Sequence, residues 1–411
     1  MSDKKYWSSF AQLNDKSREE LQSRTKDEFA EELPFEDLNG KGMLDAKTPR
    51  RDFLKYLGFS TAAATIAASC ETPVRKAVPF VNRPENITPG VAKYYASTYV
   101  QDGDALPVIV KVRDGRPIKI EGNDLYPFTK GGTSPRAQAS VLDLYDMYRL
   151  TNPKRKSGAT FQEIPNFDQV DQQVSAALAG LTAPAVLLTS TIVSPSTKQI
   201  ISEFLAKYPG SRHVQYDAVS YSAMLLANEA TQGRRAIPSY NFDKAKTVIS
   251  LGADFLGTWL SPVEFARQYS SLRKINEANP TMSKHIQFES FLSLTGASAD
   301  ERYTHSPSEL GSVVMALAAA VGVGGVTAPS TSNAKWNAGI QSAVKSLQAN
   351  RGQALVVCGS NDVNIQILVN AINSAIGAYG STIDTSVSLN YRQGVDADMV
   401  NLVNAMNQGQ V

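Results

Sequence analysis

The chain has 411 residues, 41 lysines and arginines against 39 acidic residues, a net charge of +2 and 42% hydrophobic residues. That length and apolar content suit a globular protein of two or three domains, and so even a charge balance excludes the basic footprint of a nucleic-acid binder. Its two cysteines, Cys70 and Cys358, are too few for a four-iron cluster, which takes four thiolates. The three histidines, His213, His285 and His305, lie without zinc-ligand spacing and read as structural.

Residues 1–49 form a polar leader with scattered aromatics at Tyr6, Trp7, Phe10, Phe29 and Phe35, a composition closer to a short-motif tail than to a domain. Residues 50–70 open with Arg50 and Arg51, followed by Phe53, Leu54 and Lys55, which fits a twin-arginine export signal. The Ala- and Thr-rich run behind them is short for a membrane crossing and suits a signal core. Twin-arginine systems move folded cargo, so the expected location is the periplasmic face of the inner membrane. "IAASC" resembles a lipobox, which makes Cys70 the expected acylation site; a plain signal-peptidase cut and an uncleaved anchor are the alternatives. Residues 71–90 are rich in proline and read as an extended linker.

In residues 91–155 a β-rich domain is expected. Val108, Val110 and Val112, then Ile118 and Ile120, alternate about Asp114-Gly115, which predicts a β-hairpin. "GGTSPRAQASVLDLYDMYRL" passes from a Gly-Gly turn through Pro135 into a short helix. From 156 to 411 apolar runs at 185–190, 247–255, 285–290 and 354–360 alternate with helical patterns, which predicts an α/β class: a small hairpin region followed by a doubly wound parallel sheet. Ligands of such sheets sit beyond the carboxyl ends of the strands, here "TSTIVSPS", "GADFLGTWLSP", "ESFLSLTGASADE" and "GSND". None is a G-x-G-x-x-G fingerprint, so a nicotinamide enzyme is not supported. Cys358 has no neighbouring base and reads as a small hydrophobe. The last helix pattern, 395–411, ends where a further strand is expected, as in the first portion of a longer chain.

The order "VIVKVRDGRPIKIEGN", "GGTSPRAQASVLDLYDMYRL", "YNFDKAKTVISLGADFLGTWLSPVEFARQY", "ESFLSLTGASADERY" resembles the molybdopterin oxidoreductase superfamily, and with the long leader most resembles the molybdopterin oxidoreductase-like subunit of alternative complex III. Cluster-bearing relatives carry thiols where this chain has Ala105, Leu106, Pro107 and Ser134. The resemblance therefore implies no cluster in this domain, no catalytic residue, no metal site and no cofactor in this chain, with iron–sulfur clusters only in a downstream segment. If a pterin binds, it implies a phosphate cradle near Gly252, Asp254, Ser290, Thr295 and Gly359. Asp254 as cap of a helix starting near Phe255, and Ser293 or Thr295 as a cap of the next, are the competing readings. The implied partners are multihaem cytochrome and integral membrane subunits of a quinol:electron-acceptor oxidoreductase, with this chain as a scaffold. Two rivals stand beside it: an active molybdopterin-dependent oxidoreductase that lacks its proximal cluster, and a periplasmic small-ligand-binding α/β module.

Overall fold

Alternating valines and isoleucines make the first sheet. In the computed structural model it has the order β1 (Ala92–Gln101), β2 (Asp104–Arg113), β3 (Arg116–Gly122). Described are Glu85 and residues 87–411, apart from 102–103, 182–183, 276, 278–279 and 331–332. The leader, the export motif with Arg50, Arg51, Phe53, Leu54 and Lys55, and Cys70 lie outside the described residues. The expected hairpin forms as β2–β3, with β1 added in front of it. Asp114 (φ 50°) and Gly115 (φ 77°) both take the left-handed backbone that a two-residue hairpin turn matched to strand twist demands.

Contacts divide the chain into two compact units. The described part of the first takes in 85, 87–96 and 110–119, where Asp114 Oδ1 accepts a 3.1 Å hydrogen bond from Gly90 N and the Lys111 ammonium lies 5.8 Å from the Tyr94 ring centre. The second comprises 97–109 and 120–411. Its first helix is α1 (Pro135–Ala139), capped by Ser134, whose hydroxyl accepts from Ala137 N. The hairpin of β4 (Lys154–Ser157) and β5 (Thr160–Glu163) follows, then α2 (Phe167–Ala179). Next, β6 (Val186–Thr189), α3 (Pro195–Lys207) and β7 (Arg212–Gln215) form a small parallel unit, and α4 (Ser222–Gln232) leads to β8 (Ile237–Tyr240).

The core of the second unit is built on β9 (Thr247–Leu251), α5 (Pro262–Ser271), β10 (Lys284–Glu289), α6 (Leu294–Ala297), β11 (Glu301–Thr304), α7 (Leu310–Val321), α8 (Ala334–Ala349) and β12 (Ala354–Cys358). The four strands are parallel, in the order β11-β10-β9-β12. Every residue of β9 and β12 is buried, as strands covered on both faces require. α9 (Val363–Ala375) packs on β12; β13 (Ile383–Leu389) pairs antiparallel with β8, and α10 (Asp396–Asn407) follows.

The expected run at 185–190 is a strand, but it pairs with β7 and stays out of the main sheet. Its loop instead closes on Asp217, which accepts from Thr191 N at 3.0 Å, Thr191 Oγ at 2.6 Å and Gly394 N at 2.9 Å. The fourth place in the sheet goes to β11, whose sequence Glu-Arg-Tyr-Thr, polar at three of four positions, suits an edge.

At the opposite edge, β12 leaves three carbonyls pointing away from β9, and side chains bond all of them. Thr382 Oγ donates to Ala354 O at 2.7 Å, Asn373 Nδ2 to Val356 O at 2.8 Å and Gln366 Nε2 to Cys358 O at 3.1 Å. Asn373 Oδ1 also accepts from Val356 N at 3.0 Å, so its carboxamide takes the place of one residue of a further strand. Asn373→Ala leaves two buried backbone groups unpaired, which predicts a loss of roughly 2–4 kcal/mol, read as a lower urea midpoint.

Beside this sheet, Glu264 on α5 is 1% exposed and held by Gln268 Nε2 at 3.0 Å. Burial, aided by Asp243 and opposed by bonds from Ser261 and Gln268, raises its carboxyl to about 7 from 4.5. Between those values the folded chain holds a proton that the unfolded chain has released. Stability therefore falls, by up to roughly 3 kcal/mol from this group, as pH rises from 4.5 to 7. Glu264→Gln abolishes that component, so the difference in unfolding free energy between variant and wild type grows with pH through this window and levels off above it.

Candidate functional site

In a doubly wound sheet the crevice opens where neighbouring strands send their chains off in opposite directions. Here that point lies between β9 and β12. Gly252 follows β9 with φ +68°, and a Cβ on Gly359, after β12, would overlap the Gly252 carbonyl oxygen. The two loops pass backbone to backbone. They line a cleft of about 230 Å³ together with Glu289, Ser290, Phe291, His305, Pro307 and Leu310. A larger hollow of about 630 Å³ is lined by Leu150, Pro153, Phe161, Phe167 and their neighbours, none of them from the strand-end loops.

Of the five residues expected to cradle a pterin phosphate, Gly252, Ser290 and Gly359 line this cleft. Asp254 and Thr295 do not; they bind each other. Asp254 Oδ1 accepts from Thr295 N at 3.0 Å and from Thr295 Oγ at 2.7 Å, and Thr295 Oγ in turn accepts from Leu256 N at 2.9 Å. Asp254 is thus a loop clamp, and no helix begins near Phe255. The Asp254 carbonyl draws in the amides of Gly257, Thr258 and Trp259, and the chain turns out of that coil at Leu260, φ 50°. Ser293 does cap α6, accepting from Gly296 N at 2.9 Å.

A row of polar side chains on one face of β10 ends at the cleft with Glu289. His285, Gln287 and Glu289 are all at least 98% buried. His285 Nε2 donates to Gln287 Oε1 at 3.2 Å, and Gln287 Nε2 donates to Glu289 Oε2, also at 3.2 Å. The Tyr269 hydroxyl lies 3.1 Å from His285 Nδ1. Burial lowers the His285 imidazole to about 4, so it is neutral at ordinary pH. At the cleft, Glu289 also receives Ser293 Oγ at 2.6 Å and the Arg302 guanidinium.

The chemistry of these groups is a poor match for a phosphate. Gly252 N already donates to Phe288 O at 2.7 Å, Gly359 N to Leu251 O at 3.0 Å and Thr295 N to Asp254. A phosphate cradle needs such amides unpaired and pointing at the anion. A buried carboxylate, Glu289, stands beside them instead.

The other singled-out residues have local duties. Cys358 is 1% exposed, its thiol is pushed up to about 12 by burial, and Ser360 N lies 3.4 Å from its sulfur. His213 meets Thr189 Oγ at 2.8 Å, and desolvation lowers its imidazole. Ala105, Leu106 and Pro107 lie within β2, and Ser134 caps α1. Among the described residues no group of three His, Cys, Asp or Glu side chains is arranged to hold a metal, and no helix is long and apolar enough to cross a membrane.

Sequence reasoning passed over Glu289, Arg302 and His305 as site residues. The signal for the first was the alternation His-Ile-Gln-Phe-Glu, polar on every second position. For His305 it was the capping box that follows at once, in which Ser306 N donates to Glu309 Oε2 at 2.7 Å.

No family model matches the chain. It is 25% identical over 286 residues to the menaquinone reductase molybdopterin-binding-like subunit of Nitratidesulfovibrio vulgaris, a match covering 66% of this chain and 39% of that relative. The similarity supports a relationship at the level of molybdopterin oxidoreductase-like proteins. Among solved structures, the formyltransferase/hydrolase complex of Methylorubrum extorquens with methylofuran aligns at a TM-score of 0.38 and 13% identity, over 55% of this chain and 57% of that one.

Glu289→Ala strips the buried row of its terminal acceptor and takes away the oxygens to which Gln287 Nε2, Ser293 Oγ and Arg302 Nε donate. The expected cost is about 2–4 kcal/mol, read by chemical denaturation with Glu289→Gln as the milder comparison.

Proposed function

We propose that this chain is a non-catalytic scaffold portion of a quinol:electron-acceptor oxidoreductase of the alternative complex III kind. In this reading it works in a respiratory chain at the periplasmic face of the inner membrane. The observation that carries the reading is the state of the strand-end amides. The Gly252 and Gly359 amides bond carbonyls of the neighbouring strands, the Thr295 amide bonds Asp254, and the cleft holds the Glu289 side chain, already paired with Arg302, where the ligand would need donors.

Two further observations support it. Where the resemblance puts the thiols of cluster-bearing relatives, this chain has Ala105, Leu106, Pro107 and Ser134, none a thiolate donor for iron. The similar protein from Nitratidesulfovibrio vulgaris is named as a molybdopterin-binding-like subunit of a menaquinone reductase, and this chain spans 39% of its length. The task left to such a chain is mechanical: a stiff sheet that fixes distances between partner subunits. Those partners are multihaem cytochrome and integral membrane subunits, and iron–sulfur clusters belong to other segments or subunits. Export follows the twin-arginine motif at Arg50 and Arg51, with Cys70 as the acylated residue.

Metal analysis of the protein purified with its partners from membranes tests the reading. The expected result is haem in the preparation and no stoichiometric molybdenum or tungsten. One molybdenum or tungsten per chain would establish the rival, an active oxidoreductase without its proximal cluster.

A further inference from the structure

Between Ala137 and Thr191 no described residue is buried. That stretch holds β4, β5 and α2, regular elements whose residues are exposed or half-buried throughout. A two-stranded hairpin by itself is marginal in water and normally relies on a packed apolar face. Here the large apolar side chains stand outside. Leu150 is 72% exposed, Phe161 67% and Phe167 70%, and all three line the hollow of about 630 Å³. Met147 and Tyr148, in the turn just before Leu150, are exposed more fully still. Apolar side chains gathered in this way mark a surface that binds something.

Charge says what that something is. From Met147 to Gln162 the chain carries Arg149, Lys154, Arg155 and Lys156 and no acidic residue. Lys154 lines the hollow beside Phe161, and Lys156 pairs directly across the hairpin with Phe161, so ammonium and ring share one face of the ribbon. Part of the charge is answered within the chain: Glu163 Oε1 lies 3.5 Å from Lys154 Nζ, and Arg155 donates to Gln173 Oε1 at 3.4 Å. Arg149 and Lys156 are exposed. The acids Asp168 and Asp171 follow on α2, which confines the positive charge to β4 and the loop before it. We infer that this face rests on a bilayer containing anionic lipid, its apolar side chains in the headgroup boundary and its basic ones at the level of the phosphates. Tyrosine, phenylalanine, methionine and arginine suit a protein interface as well as a membrane surface. Lysine separates the two, because protein interfaces are depleted of it, whereas at a membrane its stem lies along apolar surface while the ammonium meets the headgroups. The inference goes beyond the scaffold reading and does not rest on it. A scaffold held by partner subunits alone binds no vesicles, and the metal content of the complex is indifferent to lipid.

Co-sedimentation with vesicles tests it, using the full chain with Cys70→Ser so that no acyl group contributes. One set of vesicles is phosphatidylcholine alone; the other is equal parts phosphatidylcholine and phosphatidylglycerol. Binding to the anionic vesicles is expected to be at least about tenfold tighter, since each basic residue near such a surface supplies a factor of about five. It is expected to fade as salt rises from about 0.1 M to about 1 M and the screening length shrinks from about 10 Å to about 3 Å. Leu150→Ala combined with Phe161→Ala is expected to weaken it by at least about tenfold, and Lys156→Gln by about fivefold. Retention by neither set of vesicles would overturn the inference and leave the face to a protein partner. Equal retention by both would overturn it too. So would a double variant retained like the wild type, since the leader or another surface would then make the contact. If the double variant does not fold, Lys156→Gln and the salt series on the Cys70→Ser chain decide.

Discussion

Parallel sheets end somewhere, and this one ends at β12 on a row of side-chain hydrogen bonds. Thr382, Asn373 and Gln366 bond the outward carbonyls of Ala354, Val356 and Cys358. An unpaired edge in the core would leave polar backbone without water or partner; a further strand in that place would pair there instead. Because the row closes the sheet at β12, the reversal of strand order falls between β9 and β12. The cleft follows from that. Gly252 and Gly359 come together only because their strands are neighbours with no strand beyond.

The same sheet explains why the cleft has its present chemistry. β10 carries hydrophobic residues on one face and His285, Gln287 and Glu289 on the other. Each is bonded to the next, and the row ends on a carboxylate held by Ser293 and Arg302. A buried row of this kind is favourable only when every member is satisfied. Glu289 is therefore fixed by the interior as much as by the cleft, and its place at the strand end, paired with Arg302, is a property of the fold. His305 is the exception: its ring is anchored through Nδ1 while Nε2 is buried without a hydrogen-bond partner.

Much of this was legible in the chain. The turn at Asp114-Gly115 declared the hairpin, and the uniformly apolar runs at 247–251 and 354–358 declared buried strands, because position-by-position chemistry decides both. β11 was not legible. Glu-Arg-Tyr-Thr has neither an apolar run nor a clean alternation, and it becomes a strand only because β10 offers it an edge. The run at 185–190 shows the converse: its hydrophobicity declares a strand but does not name the neighbour, which tertiary packing selects. The glycines after β9 and β12, singled out in the sequence, do line the cleft at the strand ends. Asp254 misled because an acidic residue before a short run looks like a cap, whereas its partner, Thr295, is 41 residues away in sequence.

The Asn373 carboxamide also bears on how the protein ages. Asparagine followed by serine, as in Asn373-Ser374, is a common place for deamidation, which begins when the next backbone nitrogen attacks the side-chain carbonyl. In α9 the helix turns that nitrogen away, and the carbonyl is occupied by Val356 N. Conversion to aspartate would set a carboxylate oxygen against the Val356 carbonyl where a donor now stands. Folding thus shields the side chain whose chemical loss the sheet edge tolerates least, and the shielding lasts only while the edge stays closed.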